Sequence, residues 1–145
     1  MDEVKVKIKP LYEDTILPIL GSEDAACVDL YAHTSTVVAP HTSEKIGVGF
    51  AIAPPKGYVS LIFARSGLST KEGLRPANCV GVVDRDYRNE VIVALYNDSD
   101  VARTVFAGER IAQLMVIPYP KLLLDTVEEL DETERGLGGF GSTGV

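Results

Sequence analysis

Apolar and basic residues alternate along Val4-Lys5-Val6-Lys7-Ile8-Lys9, the period-two pattern of a strand with one face in water. Segments rich in Val, Ile and Tyr follow at Val37–Ala39, Lys45–Ile52, Tyr58–Phe63, Val80–Val83, Val91–Tyr96 and Ile111–Ile117. β-Branched and aromatic residues suit a pleated, half-buried surface, so each segment predicts a strand. Turn chemistry separates them, at Pro40, Pro54-Pro55-Lys56-Gly57, Asn97-Asp98-Ser99-Asp100, Gly108, Pro118 and Pro120. Strands at this spacing predict an all-β sandwich or barrel. Ser66–Glu72 predicts a single helical turn, stopped by Gly73. Glu128–Glu134 could form another, but an acidic run near a terminus is expected to be solvated. There is no internal repeat. The pattern divides the chain into a β domain over 1–124 and an acidic connection with a glycine-rich arm over 125–145.

Composition leaves that picture intact. A chain of 145 residues has room for one domain, and 46% hydrophobic with 24% charged residues is globular usage. The formal net charge is −7, which argues against a nucleic-acid or anionic-membrane binder, whose surface would carry excess base. The charge is uneven. Asp125–Glu134 holds six of the 21 acids and no base, so 15 acids face 14 bases elsewhere. A small anion held by a few basic groups is therefore compatible with the sequence. Two cysteines, Cys27 and Cys79, and two histidines, His33 and His41, make neither a disulfide framework nor a zinc cluster. The charged start Met1-Asp2-Glu3 is not a signal peptide, and no apolar run approaches the ~20 residues of a membrane span. The expectation is a soluble protein of the cytoplasm.

Four segments carry candidate chemistry. Arg135 to Gly144 holds five of the 13 glycines together with Phe140, Ser142 and Thr143. Glycine content alone suggests a loose tail, and the formal GxGxxG match lacks the strand and helix it requires. Yet glycines let backbone N–H groups converge on an anion, and Arg135 and the hydroxyls add phosphate donors. Phe140 offers a face for a nucleobase, so an arm closing over a nucleotide is the sharper reading. Arg65-Ser66-Gly67 ends a strand and enters the helical turn, where N–H groups, a hydroxyl and a guanidinium gather. On that segment alone, a surface turn capped by Ser66 is the simpler account.

Asn78 to Val91 reads as two strands joined by a polar hairpin, with Asp84 at the end of an apolar run. A carboxylate there is expected to be partly desolvated and able to act as a general base on water. Asp84 and Asp86 read equally as turn residues, and Tyr87 as a cross-strand aromatic. Gln113, an amide among apolar neighbours, faces either a structural partner or a site. Asp29, in Cys27-Val28-Asp29-Leu30-Tyr31, is either locally bonded or attends a cation through water.

In order and content these segments resemble the five motifs of the trimeric deoxyuridine triphosphatases (dUTPases). Asp29-Leu30-Tyr31-Ala32 resembles the first, Arg65-Ser66-Gly67-Leu68 the second and Gly81-Val82-Val83-Asp84-Arg85-Asp86-Tyr87-Arg88 the third. Gly108-Glu109-Arg110-Ile111-Ala112-Gln113-Leu114 resembles the fourth, and Arg135-Gly136 with Gly138 to Gly144 the fifth. The third and fifth are the most specific. Ala26, Ala64 and Asn89 depart from the usual glycine, proline and glycine; Asn best replaces glycine in the left-handed region, which is expected of Asn89.

The resemblance implies a jelly-roll-like β fold and a homotrimer whose sites draw motifs from all three chains. It implies hydrolysis of dUTP to dUMP and pyrophosphate with Mg²⁺, which limits uracil incorporation into DNA and supplies dUMP for dTMP synthesis. Asp84 becomes the general base and Gln113 a holder of the water or α-phosphate. Arg65, Ser66 and Gly67 become phosphate contacts, while Arg135, Gly141, Ser142 and Thr143 grip the far end of the substrate. Asn78 and the backbone from Gly81 to Val83 read uracil, Tyr87 packs under the deoxyribose, and Phe140 stacks on the base. Mg²⁺ rides on triphosphate oxygens and water, with Asp29 in its outer shell. Two alternatives remain at this level: a dCTP deaminase-related enzyme, and a nucleotide-responsive regulator whose protein partner the sequence does not name.

Overall fold

The computed structural model describes residues 3–142 and 144. Eleven strands and one helix follow in chain order: β1 (Lys7–Pro10), β2 (Val28–Tyr31), β3 (Thr36–Val38), β4 (Ser43–Gly47), β5 (Phe50–Ala53), β6 (Tyr58–Phe63), α1 (Ser66–Glu72), β7 (Leu74–Pro76), β8 (Gly81–Val83), β9 (Ile92–Asn97), β10 (Arg103–Val105) and β11 (Arg110–Pro118). The all-β expectation with one short helix is met. α1 covers the predicted residues and ends at Gly73 in the left-handed conformation.

All strand pairs are antiparallel. The largest sheet has the order β2-β11-β6-β8, a second has β4-β9-β7, and β1-β5 and β3-β10 are two-stranded. Alternate residues point inward to one core, which includes Leu30, Val38, Ile46, Phe50, Ile62, Leu74, Leu95, Val105 and Ile111. Among the described residues two polar side chains, Ser60 and Asn97, are completely enclosed. Asn97 donates to the carbonyls of Val38 and Val101 and accepts from the amide and hydroxyl of Ser99. Its amide is satisfied on both sides, so it clasps the turn after β9 rather than opening a site.

Three expectations are corrected. Lys45–Ile52 is not one strand: Gly49 has φ +84°, and the chain bends between β4 and β5. The segments flanking Asp84 do not form a hairpin with each other, since β8 pairs with β6 whereas β9 pairs with β4 and β7. Nor does Asn89 take the left-handed conformation. Its side-chain Oδ1 instead accepts the N–H of Glu90 at 2.8 Å, which shapes the turn without positive φ.

After Pro118 the chain forms no further strand or helix among the described residues, and Glu128–Glu134 is irregular, as an acidic run predicts. Leu122, Leu123, Leu124 and Leu130 stand 77–94% exposed along it. No helix among the described residues is long and apolar enough to cross a membrane.

Candidate active site

Strand pairing gathers three of the predicted segments at one corner. On β11, Gln113 lies opposite Asp29 of β2 on one side and Phe63 of β6 on the other. The Gln113 amide donates to the Ala64 carbonyl at 2.9 Å, fixing the corner where β6 turns into α1. Arg65 occupies the N-cap position with extended backbone, so its guanidinium swings back over the sheet and donates to Asp29 Oδ1 at 3.2 Å. Ser66 is therefore the first helical residue and not the cap.

A fourth residue completes the corner. The β11–β2 register slips between Arg110 and Ala112, so Ile111 is the extra residue of a β-bulge. Both Ile111 and Ala112 are consequently buried, and alternation fails just where Arg110 turns toward Asp29. Arg110 Nη1 lies 3.5 Å from Asp29 Oδ2. One carboxylate thus separates two guanidiniums, leaving the group with a net positive charge. A cleft of about 450 Å³ opens beside it, lined by Arg65, Gly67, Lys71 and Arg110 together with the acids Glu72 and Glu109. Cations held before a ligand arrives suit a polyphosphate. Arg110 and Lys71 were missed as site residues; the bulge that aims Arg110 is a product of pairing, and Lys71 reads as an ordinary basic end to a helix.

The same corner tests how a divalent cation would be held. Each Asp29 oxygen faces a guanidinium, and no group of three His, Cys, Asp or Glu side chains that could hold a metal occurs among the described residues. A carboxylate oxygen keeps a second lone pair for water. These residues fit a hydrated ion carried on phosphate oxygens, not a protein cage.

The third segment sits across β6 on the same sheet. Asn78 and Gly81 line one cleft with Ile62 and Pro76, and Val83, Asp84 and Tyr87 line another with Val82 and Val91. Ile92 borders both. Gly81 packs so closely on β6 that a Cβ there would lie 3.1 Å from the Ile62 side chain. Asp84 is exposed, contrary to the expected partial desolvation, because its cleft is open on the solvent side in the single chain. Its carbonyl accepts the Tyr87 N–H at 3.1 Å, and the Tyr87 hydroxyl donates to the Glu90 carbonyl at 2.7 Å. Glu90 in turn accepts the Gly49 N–H on its carboxylate at 2.9 Å. Its contribution was also missed, because an acid before an apolar run carries no signal of its distant partner.

The glycine-rich arm lies apart from both. The hydrogen bonds described for 133–144 run within that segment, including Arg135 Nε to the Gly138 carbonyl at 2.9 Å. Phe140 is fully exposed, and Gly141 and Ser142 are exposed beside it. Thr143 lies outside the described residues.

Comparison with known proteins fits this arrangement. The dUTPase family profile matches residues 13–144. The chain is 41% identical to the deoxyuridine 5'-triphosphate nucleotidohydrolase of Syntrophotalea carbinolica, over 99% of both proteins. It is 43% identical to the enzyme of that name from Corynebacterium glutamicum, over 99% of this chain and 97% of the relative. A point mutant of the Staphylococcus bacteriophage 80alpha dUTPase, solved with dUpNHpp, superposes with a TM-score of 0.90 at 27% identity, covering 97% of this chain and 99% of the phage protein. Motif order, fold and full-length likeness agree: the chain belongs to the dUTPase family.

Proposed function

We propose that this dUTPase converts dUTP and water to dUMP and pyrophosphate by in-line attack on the α-phosphorus, with Asp84 as the base. The water oxygen bonds to the α-phosphorus, its proton passes to the Asp84 carboxylate, and the bond to the bridging oxygen breaks as pyrophosphate leaves with the electron pair. Little covalent chemistry falls to the protein, so positioning and charge stabilisation supply the rate. The observation that carries this reading is the placement of Asp84 at the end of β8 in the sheet whose other strands hold the Arg65–Asp29–Arg110 corner.

Arg65, with Ser66 and Gly67 at the exposed first turn of α1, binds phosphate oxygens. Gln113 secures the Ala64–Arg65 corner and aligns the α-phosphate or the water. Asn78 and the Gly81–Val83 backbone read the uracil edge, and Tyr87 closes the space that a 2′-hydroxyl would need. A rigid wall rejects an added group more strongly than a missing contact does. Arg135, Phe140, Gly141, Ser142 and Thr143 close over the substrate as an arm joined to the 1–124 body by the acidic connection. Mg²⁺, when bound, neutralises triphosphate charge; Asp29 reaches it only through water.

The site is a composite of three subunits. In one chain the Asp84 cleft is open to solvent and the arm bonds within its own segment, and the exposed leucines from Leu122 to Leu130 form apolar surface of the kind a partner covers. Sedimentation of the purified protein is expected to give the trimer mass; a monomer active at catalytic concentration would overturn the shared site.

The decisive experiment is pyrophosphate release from dUTP, dTTP, dCTP and UTP with Mg²⁺, in the unaltered protein and in Asp84→Asn. Release from dUTP is expected to dominate. Asp84→Asn is expected to retain nucleotide binding and lose on the order of 10²–10⁴ in kcat. Ammonia from dCTP without pyrophosphate from dUTP would instead identify a deaminase, and an unchanged rate in Asp84→Asn would remove the base.

A further inference from the structure

Glu90 lies outside every motif residue assigned a role above, yet it ties the Asp84 loop to the bend between β4 and β5. Its carboxylate Oε2 accepts the Gly49 N–H at 2.9 Å. It does so by filling a notch in the backbone at Gly47, where an added Cβ would fall on the carboxylate itself, 2.2 Å from Oε2. Gly49, at φ +84°, turns its N–H toward that carboxylate while breaking β4 from β5. The anchor then passes into the loop by two bonds. The Glu90 carbonyl accepts the Tyr87 hydroxyl at 2.7 Å, and the Tyr87 N–H donates to the Asp84 carbonyl at 3.1 Å. Val91, next in sequence, is stitched to the same bend, donating to the Phe50 carbonyl and accepting from Val48.

Little else restrains that tyrosine. Tyr87 is 38% exposed, and its loop neighbours Asp84, Asp86, Arg88 and Asn89 are exposed while Arg85 is half-buried, so the ring is only partly held by packing. The remaining bonds of the loop are local, with Asn89 Oδ1 on the Glu90 N–H and the Arg88 guanidinium on the carbonyls of Arg85 and Tyr87. Among the described residues, Glu90 makes the side-chain hydrogen bond that links this loop to a segment distant in sequence, beside the backbone bonds of Val91. A wall that rejects a substituent must resist displacement, and a bond to a fixed strand end provides that resistance.

We propose that Glu90 is a positioning residue for sugar discrimination, locking the Tyr87 ring where it excludes a 2′-hydroxyl by seating its carboxylate in the Gly47 notch. The proposal rests on the reading that Tyr87 packs under the deoxyribose. It separates two kinds of selectivity. Sugar choice depends on the Glu90–Tyr87 linkage, whereas base choice depends on the Asn78–Val83 backbone held on β6.

The test compares kcat/KM for dUTP, UTP and dTTP in four variants. Glu90→Ala is expected to narrow the dUTP/UTP ratio by about tenfold, while the dUTP/dTTP ratio stays within about twofold. Glu90→Gln keeps an oxygen acceptor for the Gly49 N–H and is expected to hold the dUTP/UTP ratio within about twofold. Gly47→Ala leaves Glu90 in the chain but evicts its carboxylate, and is expected to reproduce the narrowed ratio. Should Glu90→Ala fail to fold, Gly47→Ala decides on the same ratio. Tyr87→Ala tests the underlying reading: an unchanged dUTP/UTP ratio there removes the role of Tyr87 itself. Collapse in Tyr87→Ala with unchanged ratios in both Glu90→Ala and Gly47→Ala overturns the Glu90 proposal alone. An equal fall in both ratios overturns it too, since a merely structural residue would loosen base and sugar selection together.

Discussion

The Asp29 corner and the glycine-rich arm are both built of phosphate donors, and the structure treats them in opposite ways. At the corner, two guanidiniums are held by one carboxylate, and the chain that delivers Arg65 is pinned by Gln113. In the arm, the Arg135 side chain bonds to the Gly138 carbonyl three residues away, and Phe140 is fully exposed. The corner has met its ordering cost during folding, supported by strand pairing on both flanks of β11. The arm has not, and under the proposed closure it meets that cost only when substrate binds. Groups ordered in advance can select, and groups that order on binding can gate. Preorganised donors stabilise developing charge at no further reorganisation, whereas a segment that orders on binding can exclude water and then release product.

Removing one side of the comparison altogether has the largest expected effect. A chain truncated after Glu134 should fold as the full chain does, with a thermal midpoint unchanged within about 2 °C, because the arm adds no residue to the core. Its kcat/KM for dUTP should fall by roughly 10²–10³, the scale of losing directed donors in a site that no longer excludes water. Calorimetry and steady-state rates on the same preparation read both. A truncated chain that unfolds makes the arm structural and erases the contrast.

Weakening the corner should cost less. In Asp29→Asn the two guanidiniums face a neutral amide, so the corner gains a unit of positive charge but loses its central anchor. Binding of dUTP should be no weaker than in the unaltered protein, while kcat falls about 10–100-fold through lost alignment. The Mg²⁺ concentration for half-maximal rate should stay put, since the carboxylate spends its nearest contacts on arginines. A large rise in that concentration would make Asp29 a direct ligand of the metal and not a partner that reaches it through water.

How far the sequence foretold these regions follows from where their information lies. Local signals were legible: the stop of α1 at Gly73, the strand at Tyr58–Phe63 and the unstructured acidic run all depend on neighbours in the chain. Features made by distant pairing were not. Lys45–Ile52 reads as one strand until Glu90, 41 residues beyond Gly49, bonds into the bend. Arg110 reads as a strand-start charge until the bulge at Ile111 turns it toward Asp29. β7 escapes notice because three residues ending in Pro76 look like a turn; as an edge strand of its sheet it tolerates the missing N–H. The Asp84 loop shows both cases together. Its residues were identified from their motif, but the expected hairpin was wrong, since β8 and β9 take different partners.

The finest distinction concerns what the arm's one aromatic contributes. Phe140 is fully exposed and holds a φ of +46°, a conformation that only glycine adopts without cost, so nothing in the free chain accounts for a large apolar ring there. A ring stacked on a base contributes about 1–3 kcal/mol, so Phe140→Ala should lower kcat/KM by about tenfold with no change in thermal midpoint. Apolar bulk alone makes a different forecast. Phe140→Leu retains much of the buried area but has no flat face, whereas Phe140→Trp enlarges that face. Stacking therefore expects Leu to behave like Ala and Trp to match or exceed Phe, with the difference appearing in KM and product release more than in the chemical step. A leucine variant as active as the unaltered chain would mean that the arm excludes water by bulk, and that its selectivity comes entirely from the body it closes upon.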